Sequence, residues 1–162
     1  MLSRTLAEHP WLTTSALVVA VVLGPIAGAW LVPRPRMTSS LLRPASVGVI
    51  LFTLLPIHRN VTPGCTVEWH FPRLGAVEVM ANVVLFIPAV LLAGVLTRRP
   101  WLIFLMASGV SALIEGIQAL VTALGRSCST NDWLANSLGA VLGALLAAVA
   151  LRLARRCADR RG

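Results

Sequence analysis

Eight hydrophilic residues in an otherwise apolar chain have types and spacings that could carry chemistry: Glu78, Asn82, Ser111, Glu115, Gln118, Arg126, Asp132 and Asn136. A carboxylate withdrawn from water is the usual material of a general acid or base, which makes Glu115 the candidate for proton transfer. The planar fork of Arg126 suits a phosphate or carboxylate, or an ion pair with Asp132. Asn82 and Asn136 carry amides that could orient a bound group. Ser108, Ser111, Glu115, Gln118 and Thr122 recur at intervals of 3, 4, 3 and 4, which is one stripe of an α-helix. Asn136 heads a second stripe of small residues, Gly139, Gly143, Ala147, Ala150 and Ala154, and Asn82 aligns with Ala89 and Ala93.

The elements that position these residues must lie in a membrane. Of 162 residues, 57% are hydrophobic and 12% charged, with mean hydropathy +0.82. Soluble domains carry about 25% charge, and disordered chains lack such an apolar load. Five apolar stretches are long enough, or nearly so, to cross a bilayer, which takes roughly 20 residues. They run over 11–32, 41–57, 77–96, 101–124 and 133–151. The second is the shortest and requires Arg43 to snorkel toward the interface. The expected architecture is all-α, a single domain of five transmembrane helices over 1–162.

Arginine placement orients that bundle. All fourteen basic residues are arginine. Taken with nearby acids, the tail, the four loops and the final tail carry 0, +3, 0, +2, 0 and +4. Positive charge near span ends favours the cytoplasm, so the N-terminus is expected outside and the C-terminus inside. A secretory signal explains the first span less well: Ala27-Gly28-Ala29 resembles a cleavage site, but the apolar run exceeds the about 7–15 residues of such signals. With this topology Glu78, Asn82, Gln118, Arg126, Asp132 and Asn136 gather near the outer ends of three spans. The expected result is an outward-facing polar pocket with Glu115 at its floor, roughly 13 Å below the surface at 1.5 Å per residue.

Plainer readings stand beside this one. Asn, Gln and Glu in membrane helices often only join helices, and Asn131 or Asp132 could simply cap the fifth helix. Trp11, Trp101 and Trp133 sit at span ends, as an aromatic belt would. The arginine-rich tail suits anionic lipid heads; no basic face interleaved with aromatics points to nucleic acid. Glu68, His58 and His70 share a loop but lack zincin spacing, so no metal or other cofactor is expected. Ser111 has no histidine in a matching motif. Cys65 and Cys128 fall in loops on the same expected side. Spacing cannot tell whether their α-carbons come within the about 7 Å a disulfide needs.

The ordered motifs resemble a known family. Asn82-Val-Val-Leu-Phe86-Ile-Pro88, Ser111-Ala-Leu-Ile-Glu115-Gly-Ile-Gln118, Gly125-Arg126, and Asp132, Asn136, Gly139 and Gly143 at intervals of 4, 3 and 4 resemble the VanZ-like bacterial membrane proteins over about residues 45–150. Ala89 and Val90 follow Pro88 where a glycine is common in that family. The resemblance implies a multi-pass protein of the bacterial cytoplasmic membrane. The expected outward-facing pocket, rather than the family, suggests the partners: membrane lipids and an amphiphilic or lipid-linked envelope molecule that the protein would bind or act on. The resemblance links its role to tolerance of teicoplanin-type glycopeptides. It brings no established reaction. An intramembrane enzyme using Glu115, or a non-catalytic helical scaffold for other membrane proteins, is the alternative, and oligomeric state is left open.

Overall fold

The five apolar stretches form five helices in a computed structural model that describes residues 11–57, 64–69 and 76–160, with the side chain of residue 78 left aside. They are α1 (Trp11–Leu31), α2 (Pro35–Leu54), α3 (Val77–Thr97), α4 (Pro100–Leu120) and α5 (Thr130–Asp159). All five are long and apolar enough to span a membrane. Between α2 and α3 lies β1 (Cys65–Thr66), and before α5 lies β2 (Cys128–Ser129). The two pair in parallel, Cys65 opposite Cys128 and Thr66 opposite Ser129.

Three boundaries depart furthest from the apolar runs. Helix α2 starts at Pro35 rather than at residue 41, taking Arg36 and the exposed Arg43 into its first turns. Proline is already bent for a first helical turn and needs no N–H there. Helix α4 ends at Leu120, and the chain tightens into a 3-10 turn, Thr122–Leu124, closed by Gly125 at φ 62°. Thr122 therefore leaves the Ser108–Gln118 stripe. Helix α5 runs on to Asp159, because Leu, Ala and Arg are strong helix formers and neither Gly nor Pro interrupts them.

Helix α5 is the hub, packing on α1, α3 and α4, most extensively on α3. Lipid is as apolar as leucine, so helices in a membrane associate through close packing and hydrogen bonds. The small face of α5 supplies the packing. Ala135, Ala140, Ala144, Ala147 and Ala150 are fully buried, and burying alanine freezes no side-chain rotamers. A Cβ at Gly139 would lie 2.1 Å from the Val83 carbonyl oxygen, and one at Gly143 would lie 2.9 Å from that of Ile87. On the α1 side Gly28 sits against Ala150, and Gly94 of α3 sits against Ala147. Helix α1 is thus seated in the bundle through the same small face.

The bundle has two dissimilar ends. One holds β1, β2 and the start of α5. The other holds the α1–α2 and α3–α4 turns with Arg34, Arg36, Arg98 and Arg99, and the end of α5 with Arg152, Arg155, Arg156 and Arg160.

Gly139→Ala is expected to destabilise the bundle by about 1–3 kcal/mol, the usual cost of overpacking where backbone must yield. Gly109→Ala meets nothing within 4 Å and should leave the melting temperature unchanged or slightly raised. Thermal unfolding of both variants in one detergent measures the contrast.

Candidate functional site

The polar residues gather around the first two turns of α5. Ser129 is its N-cap, its hydroxyl accepting from the Asn131 N–H at 3.1 Å. Asn131 and Asp132, the caps expected from sequence, lie inside the helix instead. Glu115 of α4 reaches across the seam, and its Oε2 accepts from the Ser129 N–H at 2.9 Å. A carboxylate there meets the positive end of the helix dipole. Asp132, in the first turn, gains in the same way, and its Oδ1 accepts from the Asn82 amide at 3.1 Å.

One turn deeper, the buried Asn136 amide donates to Ser111 Oγ at 2.9 Å, while Asn136 Oδ1 has no hydrogen-bond partner. Ser108 and Ser137 share a hydrogen bond at 2.9 Å. The buried Gln118 donates to the Thr53 carbonyl of α2 at 2.8 Å. Four of the eight candidates, Ser111, Glu115, Asp132 and Asn136, therefore line the α4–α5 seam or the start of α5. Asn82 joins them from α3 and Gln118 faces α2. Glu78 lies in the first turn of α3, and its side chain lies outside the described set.

Arg126 goes elsewhere. Its Nε donates to the Leu55 carbonyl at 3.0 Å, tying the loop after α4 to the end of α2, beside an Ile57–Leu124 backbone bond of 2.9 Å. Burial lowers the Arg126 pKa from the ordinary arginine value, and Asp132 and Glu115 oppose that shift. The guanidinium is thus partly desolvated while its Nε is committed to backbone.

Cys65 and Cys128 form a disulfide with α-carbons 4.5 Å apart. It secures the crossing of the two loops, where Thr66 donates to the Cys128 carbonyl at 3.0 Å and Thr130 accepts from the Glu68 N–H at 2.9 Å while donating to the Glu68 carbonyl at 2.7 Å. Under this crossing opens a cavity of about 360 Å³, bounded by the disulfide, Glu115, Trp133 and the small residues Ala112 and Gly116 of α4. Ala112 and Gly116 are exposed, so the cavity opens on the flank of the bundle. Its wall includes Glu115 but not Asn82, Gln118 or Asn136. The hydrogen-bonded residues and the cavity therefore meet at Glu115, Ser129, Thr130 and Trp133 rather than merging into one polar pocket.

Trp133 belongs to this cavity. Its indole donates to the Ser108 carbonyl at 3.2 Å, and its ring meets Trp69 edge-on at 6.3 Å. A tryptophan at a span end carries the same sequence signal whether it faces lipid or a neighbouring helix. Trp11 and Trp101, by contrast, are exposed as a belt residue would be.

Residues 12–151 match the VanZ/LLP1 family. The chain belongs to it. The match extends the resemblance, which began near residue 45, back through the first half of α2 and nearly all of α1. No curated protein matches this VanZ/LLP1 chain. No solved structure matches it. Family membership and the five apolar helices make it a multi-pass membrane protein.

Several contacts of this VanZ/LLP1 site carry no sequence signal, because the partner is a main-chain atom: Ser129 N–H for Glu115, the Thr53 carbonyl for Gln118, the Leu55 carbonyl for Arg126. Ser137 could have been found, since it lies one residue past Asn136 on the side facing α4. Among the described residues no cluster of three or more His, Cys, Asp or Glu could hold a metal ion; His58 and His70 lie outside the described residues.

With Cys157 the one free cysteine, thiol labelling of the denatured, unreduced chain should count one thiol, rising to three after reduction. Three thiols without reductant would contradict the pairing.

Proposed function

We propose that this VanZ/LLP1 protein binds an amphiphilic or lipid-linked envelope molecule in the cavity beneath the disulfide, and that this binding contributes to tolerance of teicoplanin-type glycopeptides. The observation that carries the reading is an apolar-walled cavity, open on the flank of a membrane bundle, with the buried residue Glu115 among those that line it. Its volume of about 360 Å³ falls in the range of ligand sites, about 300–1,000 Å³. An intramembrane ionisable residue facing a cavity is a functional candidate by default. A flank opening suits a molecule that arrives within a leaflet, with its tail along Ala112 and Gly116 and its polar part toward Glu115 and Ser129.

In this reading the disulfide end faces outward from the bacterial cytoplasmic membrane. Two independent regularities support that orientation. Disulfides persist in oxidising compartments, and arginines near span ends favour the cytoplasm. Among the described residues the arginines at helix ends and turns collect at the other end of the bundle, Arg126 excepted. The resistance role comes from the family and is analogy.

Gly116→Leu tests the cavity directly. A Cβ at Gly116 meets nothing within 4 Å, so leucine fills the opening without disturbing the bundle. Mass spectrometry of organic extracts from purified protein should find an envelope amphiphile with the parent chain. In Gly116→Leu it should be depleted by about tenfold, equivalent to ~1.4 kcal/mol of binding, with teicoplanin tolerance falling in parallel. Unchanged extracts and unchanged tolerance would overturn the proposal. Glu115→Gln keeps an oxygen to accept from Ser129 but cannot act as an acid or base. Loss of tolerance with the amphiphile still bound would favour proton chemistry, and full tolerance would exclude it.

A further inference from the structure

A second cavity, of about 750 Å³, lies at the arginine end of the bundle. Its lining is of two kinds. Ile26 and Ala29 of α1 and Leu151 of α5 form the apolar part, and Arg34, Arg98 and Arg155 contribute guanidinium-bearing side chains. Among the described residues no carboxylate lines it. We propose that this cavity is a binding site for an anionic phospholipid, whose phosphate is held by Arg34, Arg98 and Arg155 while an acyl chain lies along Ile26, Ala29 and Leu151.

The three arginines come from three separate places in the chain: the α1–α2 turn, the α3–α4 turn and the extension of α5. They share one cavity because α5 does not stop at the end of its apolar run. Arg155 lies four residues past Leu151, about 6 Å along the helix axis. That step separates hydrocarbon from headgroup on the scale of a bilayer interface.

Two of the arginines show features that their local backbone does not require. The Arg34 guanidinium sits 4.0 Å over the Trp30 ring and donates to the Trp30 carbonyl. Cation–π contact and hydrogen bond fix its direction and leave further N–H groups of its five for a phosphate. Arg98 closes α3 in the left-handed conformation, φ 57° and ψ 21°. It is the one non-glycine residue with positive φ among the described residues. Glycine takes that conformation freely at a helix C-terminus and arginine does not. That turn places the Arg98 side chain in the wall of the cavity.

Charge and shape together select the occupant. A free phosphate would leave the apolar wall unfilled, and a zwitterionic lipid would bring a cation among three guanidiniums. Guanidinium forks pair well with phosphate oxygens, and basic pockets between membrane helices are suited to anionic headgroups. This site lies at the opposite end from the cavity beneath the disulfide, so neither proposal depends on the other.

The test is a native mass-spectrometric titration of the full chain in detergent with phosphatidylglycerol or cardiolipin, with phosphatidylcholine, and with inorganic phosphate as competitor. The anionic lipids should bind about tenfold or more tightly than phosphatidylcholine, and inorganic phosphate should not displace them. Arg34→Gln, Arg98→Gly and Arg155→Gln should each weaken binding roughly fivefold. Arg98→Gly should do so while keeping or raising the melting temperature, since glycine relieves the turn. Arg152→Gln, exposed and outside the cavity wall, should change affinity little. Cys157 lines the same cavity and is free, so bound anionic lipid should slow its reaction with a maleimide in the parent chain, and less so in Arg155→Gln. Equal binding of phosphatidylcholine, displacement by inorganic phosphate, or an Arg98→Gly chain of undiminished affinity would each overturn the site.

Discussion

The close approach of α3 and α5 is the constraint from which the other relations follow. At Gly139 the backbone of α5 comes so near the Val83 carbonyl that no side chain fits between them. Contact of that kind allows weak Cα–H···O bonds and dense dispersion contacts, which must replace the hydrophobic drive that lipid does not supply. Once α5 is pressed onto α3, the faces it turns toward α1 and α4 are settled as well. Asp132 is brought to Asn82, and Asn136 to Ser111, by the same register that brings Gly139 to Val83.

The second consequence concerns the N-terminus of α5. A helix N-terminus carries N–H groups that have no partner within the helix, and the start of α5 is half-buried against its neighbours. Ser129 and Glu115 answer this from two directions, one within the helix and one from α4. Glu115 therefore has a structural office as well as a place in a cavity wall. The two are compatible, because one carboxyl oxygen serves the Ser129 N–H while the residue also lines the cavity. Asn136 is left with a buried oxygen lacking a partner; amide oxygens of this kind are usually met by a neighbouring polar group or a buried water.

The bundle itself was largely legible in the sequence. Apolar runs of spanning length, the regular placing of arginines between them, and the small-residue face from Gly139 to Ala150 all announce helices and their packing. Boundaries were harder. The start of α2 is set by Pro35 and not by apolarity, and Gly125 marks a turn that follows the end of α4 by several residues. The site was legible in membership more than in arrangement. The stripe of Ser111, Glu115 and Gln118 is visible as a period. That Glu115 meets a backbone N–H, that Arg126 meets a backbone carbonyl, and that Trp133 turns inward depend on where loops return, and loop return leaves no periodic trace. The disulfide was a possibility that only the meeting of β1 with β2 could decide.

That disulfide closes a ring. Its cysteines are 63 residues apart in sequence, and the segment between them contains the whole of α3 and α4. Once both helices have crossed and returned, an even number of crossings separates Cys65 from Cys128 and the two thiols share one side. Oxidation of the pair accordingly marks a chain in which neither α3 nor α4 has crossed without the other. A chain in which α3 or α4 failed to enter the bilayer would carry its two sulfurs on opposite sides, with no chemistry able to join them.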